Sequence, residues 1–252
     1  MDFQKIIDLV IKASCFMLNK KMIEHCETKA KKDYVTYVDL KINNFLKHKL
    51  SEINSQIGFF SEEEEGTLKD PCWILDPVDG TTNLVHGCNM SSISLALYFE
   101  QEIKFGVVYN PFTSELFTAE KGRGAFSNGN KLKVSSRKMP ESIIEFGLAK
   151  HTENNDVNFN IAKEIFSECF DIRRICSAAL VLCFVADSRL DGYFEEKLSP
   201  WDIAAGALIL AEAGGKVTSF TGNQIDLSES TSIIASNHII HDDLKRIINS
   251  HN

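Results

Sequence analysis

Apolar positions recur along this chain with two periods, one suited to helices and one to strands. Near the start, Phe3, Ile6, Ile7, Val10, Ile11, Met17 and Leu18 fall at helical spacing, broken by Asp2, Lys5, Asp8 and Lys12. That pattern predicts an amphipathic helix packed on a core, and the charges exclude a signal peptide. A second helix is predicted over 37–50, with Leu40, Ile42, Phe45, Leu46 and Leu50 as its apolar side. Short strands are predicted at 57–60 and 73–75, with a turn or short helix at 83–87. Segments 92–99, 104–110 and 115–120 read as an antiparallel meander, with turn signals at Asn110-Pro111 and Lys121-Gly122-Arg123-Gly124. Helices are expected on one face of that sheet.

After Ser136 the pattern changes. Strands predicted at 143–148, 171–175, 192–195, 217–220 and 232–236 alternate with helices at 157–170, 178–188, 200–213 and 242–249, the third closed by Gly214-Gly215. The fold class expected is therefore α/β: an α+β half over 1–138 with an antiparallel sheet, then an α/β half over 139–252. No linker, low-complexity segment or internal repeat separates them, so the 252 residues are read as one continuous folding unit.

Charge and composition narrow the function. The formal net charge is −8 with no basic run, which argues against a nucleic-acid partner. No apolar stretch approaches the ~20 residues of a membrane span, so no membrane partner is expected. The seven cysteines (15, 26, 72, 88, 169, 176 and 183) include no C-x-x-C pair and are odd in number. They suit reduced, mostly buried thiols in a cytoplasmic protein. No Cys/His cluster has zinc spacing.

Candidate chemistry is concentrated in Trp73-Ile74-Leu75-Asp76-Pro77-Val78-Asp79-Gly80-Thr81-Thr82-Asn83. A strand ending at Leu75 puts Asp76 at its mouth. Pro77 forces a turn that can return Asp79 to Asp76, with the Val78 carbonyl between them. Two carboxylates and a carbonyl are the oxygen ligands that Mg²⁺ favours. Gly80 permits close backbone approach, and Thr81, if it opens a helix, offers N–H groups and a hydroxyl to an anion. The same segment also reads as an ordinary turn followed by a threonine N-cap. Glu62-Glu63-Glu64-Glu65 reads as a solvated face, yet its first acids leave the end of a strand. Asp202, in Pro200-Trp201-Asp202, is favourable at a helix N-terminus on dipole grounds alone. Together, though, three distant segments present carboxylates at element boundaries, with no His or Cys among them.

These segments resemble the inositol monophosphatase family of Mg²⁺-dependent, lithium-sensitive phosphatases. The first long signature is 73–83. The second is Trp201-Asp202-Ile203-Ala204-Ala205-Gly206 with Glu212-Ala213-Gly214-Gly215. Val35-Thr36-Tyr37-Val38-Asp39 and Phe60-Ser61-Glu62-Glu63 match two shorter motifs. The resemblance implies a layered αβαβα fold and a homodimer. It implies two to three Mg²⁺, or Mn²⁺, held by Glu62, Asp76, Asp79, Asp202 and the Val78 carbonyl. It gives Asp39, Thr81 and Glu62 the attacking water, and Gly80 and Thr81 the phosphate. Asp79 and Asp202 would also contact substrate, and Ser177, Ala178 and Glu195 would face its alcohol half. The family has Gly-Glu-Glu where this chain has Ser61-Glu62-Glu63, so a shift of one residue would replace Glu62 by Glu63.

The implied reaction is in-line hydrolysis of a small phosphate monoester, with a phosphorylated polyol or sugar as the partner. Relatives that cleave 3'-phosphoadenosine phosphates have Asp-Gly-Thr-Lys, whereas this chain has Thr82 in the lysine position. With Glu195, and with Leu198-Ser199-Pro200-Trp201-Asp202 resembling bacterial members, this favours inositol monophosphate. Fructose 1,6-bisphosphate, histidinol phosphate and 3'(2'),5'-bisphosphate nucleotides stay open as alternatives. Haloacid-dehalogenase phosphatases use Asp-x-Asp, one residue shorter than the Asp76–Asp79 spacing, and are set aside. A non-catalytic regulatory member is disfavoured, because every implied ligand and Thr81 are present.

Overall fold

The computed structural model describes residues 2–23, 26–30, 33–148 and 156–251. The side chains of 24–36 lie outside the described residues, including those of Cys26, Val35 and Thr36. Helix α1 (Phe3–Ala13), one turn of α2 (Lys20–Ile23), the hairpin of β1 (Cys26–Ala30) and β2 (Asp33–Thr36), and α3 (Tyr37–Ile53) come first. A seven-stranded sheet follows in strict chain order. Its strands are β3 (Gly58–Ser61), β4 (Cys72–Asp79), β5 (Ser92–Phe99), β6 (Glu102–Asn110), β7 (Glu115–Glu120), β8 (Gly124–Ser127) and β9 (Asn130–Lys131), with α4 (Thr81–His86) between β4 and β5. Only β3 and β4 pair in parallel; every later pair is antiparallel.

The second sheet has five strands in the order β11-β10-β12-β14-β13. They are β10 (Ile143–Phe146), β11 (Asp171–Arg173), β12 (Gly192–Leu198), β13 (Lys216–Thr218) and β14 (Thr231–Ser236). Interleaved with them are α5 (Asp156–Glu168), α6 (Ala178–Ala186), α7 (Pro200–Glu212) and α8 (His241–Asn249). Strands β10, β11 and β12 run parallel, while β14 is antiparallel to both β12 and β13.

Successive side chains of a strand point to opposite faces, and here both faces of both sheets are buried. On the first sheet, Trp73, Leu75, Leu95 and Val107 pack against Ile6 and Val10 of α1 and Ile42 and Leu46 of α3. From the other face, Ile74, Ala96, Val108 and Phe117 meet α6 and α7. Those two helices also receive Tyr193, Leu198, Ile233 and Ala235 from the second sheet. The far side of that sheet, with Ile144, Phe146, Phe194 and Ile234, is covered by Ile161 and Ile165 of α5 and Leu244 and Ile247 of α8. The layers are therefore helix, sheet, helix, sheet, helix. The expectation of helices on only one face of the first sheet is wrong. Every residue of β4 is buried, so both faces need a cover, and the second cover comes from the later half of the chain.

Helix α6 is buried at all nine positions, as a helix apolar all round requires. Two glycines set the spacing of the middle layer. A Cβ on Gly106 would lie 2.9 Å from the Ala205 carbonyl oxygen, and one on Gly206 would lie 2.8 Å from Leu182 Cβ.

Several expected boundaries shift. Strand β4 continues past Leu75 to Asp79, β12 runs on to Leu198, and β11 stops at Arg173. The short β8 and β9 add to the predicted elements, because the glycines before β8 read only as a turn. Leu40, expected on the buried side of α3, is 43 % exposed, while Asp39 and Asn43 are buried in its place. The buried stripe follows Val38, Ile42 and Leu46, and Asp39 turns inward to meet polar partners. The cysteines are also less buried than expected: of the six described, all free, only Cys72 and Cys183 are buried. Among the described residues no helix is long and apolar enough to cross a membrane.

Candidate active site

The site starts from an irregularity at the end of β4. Asp76 pairs with Ser94 and Asp79 with Ser92, so three steps along β4 match two along β5. This is a β-bulge, which bends and twists a strand and re-aims its side chains. Pro77 lies inside it, where its missing N–H costs no ladder bond. The bulge, rather than the expected turn, returns Asp79 toward Asp76. It is locked by the Val78 N–H, which donates to Asp76 Oδ1 at 2.9 Å. Gly80 then adopts φ +84°, and a Cβ there would come within 2.8 Å of the Met90 carbonyl oxygen. Only glycine meets both demands without strain. Thr81 opens α4 directly after it.

The other elements deliver their side chains to this bulge. The Thr81 hydroxyl lies 3.0 Å from the Val78 carbonyl oxygen and 3.5 Å from Asp39 Oδ1, and it has one proton to offer them. Asp79 accepts from the Ser177 hydroxyl, from the Ser92 hydroxyl at 3.3 Å, and from the N–H groups of Ala178 at 3.0 Å and Ala179 at 3.1 Å. A β4 carboxylate thus caps the N-terminus of α6, which ties Ser177 and Ala178 to the bulge. Asp202, in the first turn of α7, accepts the Ser199 N–H at 2.6 Å in a capping box. Glu62 follows β3, its N–H donating to the Leu75 carbonyl at 3.3 Å. The Tyr193 hydroxyl donates to Glu195 Oε2 at 2.5 Å. The charges of Glu62, Asp79, Asp202 and Asp39 all act on Asp76, and that of Glu195 acts on Asp202.

The electrostatics of this cluster are unbalanced. Burial pushes the Asp76 carboxyl well above the usual range, and the charges of Glu62, Asp79, Asp202 and Asp39 push it further. Asp202 is raised in the same way, first by burial and then by Glu62 and Asp79, with the Ser199 N–H pulling back. Asp79 is pushed up to about 6 by burial, against the opposing pull of Ser177, Ser92 and the α6 N–H groups. Burial is the largest cause for all three, and like charge adds to it at Asp76 and Asp202. In the acid run, Glu62 is the charge that acts on Asp76 and Asp202, whereas Glu64 is engaged by Asn43 at 3.0 Å and Lys47 at 2.6 Å.

Buried like charges are costly unless a cation compensates them, and the donors here are carboxylate and carbonyl oxygens. By donor chemistry the residues fit a hard divalent ion such as Mg²⁺. Among the described residues no three or more Asp, Glu, His or Cys side chains stand grouped as they would around a metal ion. Hydrogen bonds to Val78, Ser177, Ser199 and the start of α6 hold the carboxylates instead.

Sequence reasoning missed three supporting residues. Ser92 bonds Asp79, and its signal is its place opposite the bulge. Asn83 donates 2.8 Å bonds to the carbonyls of both Met90 and Ile175, joining the turn after β4 to the segment before α6. Glu145 is an acid inside the apolar run Ile143-Ile144-Glu145-Phe146, a signal that was legible. Burial pushes its carboxyl up to about 7.

The model of the inositol monophosphatase family matches residues 1–252. The chain belongs to that family. Like the other members it is a phosphoric monoester hydrolase of a metal-dependent family. It is 40% identical over 213 residues to an inositol-1-monophosphatase of Mesorhizobium japonicum, covering 82% of this chain and 80% of the relative. It is also 40% identical over 199 residues to Nus factor SuhB of Escherichia coli K12, covering 77% and 74%. Among solved structures, the Thermotoga maritima IMPase superposes with a TM-score of 0.91 at 32% identity, over 100% of this chain and 98% of that one. An IMPase/NADP phosphatase complexed with Mg²⁺ and phosphate gives 0.86 at 27%, over 99% and 97%.

Proposed function

We propose that this inositol monophosphatase family member hydrolyses inositol monophosphate to inositol and phosphate, with two to three Mg²⁺ ions as cofactor. The observation that carries the reading is the convergence of buried Asp76, Asp79 and Asp202 with Glu62, where like charge adds to the cost of burial at Asp76 and Asp202, beside the Thr81–Asp39 contact. Glu62, Asp76, Asp79, Asp202 and the Val78 carbonyl would hold the ions. Bound there, Mg²⁺ would neutralise the phosphate, acidify a water and stabilise the departing alkoxide. Thr81 orients the attacking water through its hydroxyl, Asp39 fixes that hydroxyl, and Glu62 takes the proton. Gly80 and Thr81 face the phosphate with the first N–H groups of α4, which have no partner within the helix. Asp79 and Asp202 contact the substrate on the same side. Ser177, Ala178 and Glu195 meet the alcohol.

The Mesorhizobium relative supports this substrate by its name, and the Mg²⁺ and phosphate complex supports the cofactor. The test is a phosphate-release screen with Mg²⁺ over inositol 1-phosphate, fructose 1,6-bisphosphate, 3'-phosphoadenosine 5'-phosphate and histidinol phosphate. Inositol 1-phosphate should have the highest kcat/KM, and a clear preference for another of the four would transfer the assignment to it. Direct attack by water requires inversion at phosphorus. Inhibition by lithium, assembly as a homodimer and a cytoplasmic location belong to the same proposal. The relatives named Nus factor SuhB favour a second reading, in which the fold also serves a regulatory binding role. That role would stand alone if the purified protein released no phosphate from any of the four substrates.

A further inference from the structure

Glu145 takes no part in the chemistry above, yet it is the least expected side chain in the second sheet. It sits on β10, between β11 and β12. Its neighbours Ile144 and Phe146 enter the core shared with α5 and α8, so Glu145 points the other way, toward the layer that carries the site. It is only 1 % exposed. A carboxyl buried there costs free energy that an apolar residue would not, unless it satisfies other groups. It does so: Oε1 accepts the Ile175 N–H at 2.5 Å, and the Cys176 N–H reaches the same carboxyl. A carboxyl can accept these bonds whether ionised or protonated. Its other oxygen, Oε2, is buried without a hydrogen-bond partner.

The two N–H groups belong to the short strap that joins β11 to α6. This strap has no ladder or helix of its own, and Cys176 holds φ +63°, an unfavourable value for a residue with a side chain. Such a segment keeps its shape only if its surroundings impose it. Glu145 grips the strap by its N–H groups. From the opposite side Asn83 grips it by its carbonyls, donating to Ile175 O at 2.8 Å and to Cys176 O at 3.4 Å. The next residues are Ser177, Ala178 and Ala179, all three bonded to Asp79.

We propose that Glu145 is a positioning residue: its carboxyl fixes the 174–177 strap, and through it the Ser177–Ala178 edge that receives the leaving alcohol. The effect on substrate rests on the function proposed above; the effect on the strap does not. The test compares Glu145→Ala and Glu145→Gln with the parent protein, since glutamine keeps an acceptor oxygen and alanine has none. In Glu145→Ala, amide hydrogen exchange should accelerate at 174–179 and stay at the parent rate in α1 and α3. KM for inositol 1-phosphate should rise about tenfold or more with little change in kcat. KM for 4-nitrophenyl phosphate, whose leaving group lacks the polyol hydroxyls, should barely move. Glu145→Gln should restore both the exchange and KM. If Glu145→Ala does not fold, Glu145→Leu, which fills the space without an acceptor, replaces it in both assays.

Unchanged exchange at 174–179 would overturn the proposal. So would a general loss of Tm in which both substrates suffer alike and glutamine gives no rescue. A parent protein inactive on inositol 1-phosphate would refute the substrate assignment alone, and amide exchange would still decide the role of Glu145.

Discussion

Asp76 illustrates how a residue in this protein trades stability for a binding task. It is 2 % exposed, and every carboxylate acting on it carries the same charge. Asp76→Asn keeps the shape and the acceptor for the Val78 N–H but removes the charge that would hold a cation. It should lower Mg²⁺-dependent phosphate release at least ~100-fold while changing Tm by no more than a few degrees; turnover near the parent value would sink the metal assignment. Asp79 makes a related prediction about pH. Its folded pKa of about 6 exceeds the ordinary 3.8, so the metal-free fold holds a proton that the unfolded chain has released. Stability from that proton is full below pH 3.8 and is lost as pH rises through about 6. A divalent ion needs the ionised carboxyl, so it should repair the loss above that pH and do little below it. At a hundredfold excess over Kd, Mg²⁺ should add about 2.7 kcal/mol to the chelator-treated protein near pH 8. Thermal shift should show a much smaller gain near pH 5, and equal gains at both would contradict the assignment.

At the scale of elements, the site depends on where strands and helices end. The Pro77 bulge, the Asp79 cap of α6 and the Ser199 capping box of α7 each place an acid at a terminus where backbone N–H groups await a partner. The acids themselves were legible, because Asp-Pro-Val-Asp-Gly and Trp-Asp stand at recognisable boundaries. The bulge was not, since a proline after an apolar run reads equally well as a turn. Nor was the inward side of α3, where Asp39 and Asn43 displace Leu40; burial there answers to Thr81 and Glu64, which are distant in sequence. Gly106→Ala tests the contact between β6 and α7, since its Cβ would press on the Ala205 backbone rather than on a movable side chain. It should cost about 1–3 kcal/mol, read as a lower urea midpoint, and a neutral result would mean that the two layers can separate freely.

The whole molecule is organised around α6 and α7, which belong to the later half of the chain yet form one core with the earlier sheet. A single cooperative transition follows if that shared layer governs stability. Ile209→Ala, at a fully buried position of α7, should cost about 2–5 kcal/mol. Its tryptophan fluorescence and far-UV circular dichroism should melt together, and two separated transitions would show that the halves fold independently. By itself the sequence determined the alternation of elements, the acids and the glycine of the site, and their family resemblance, because periodicity and turn chemistry are local. Only the tertiary structure decided that the first sheet is covered on both faces, that Asp79 caps α6, and that Glu145 and Asn83 grip the same strap. Those outcomes join residues 100 and more positions apart, and no local pattern encodes which buried N–H will meet which carboxylate.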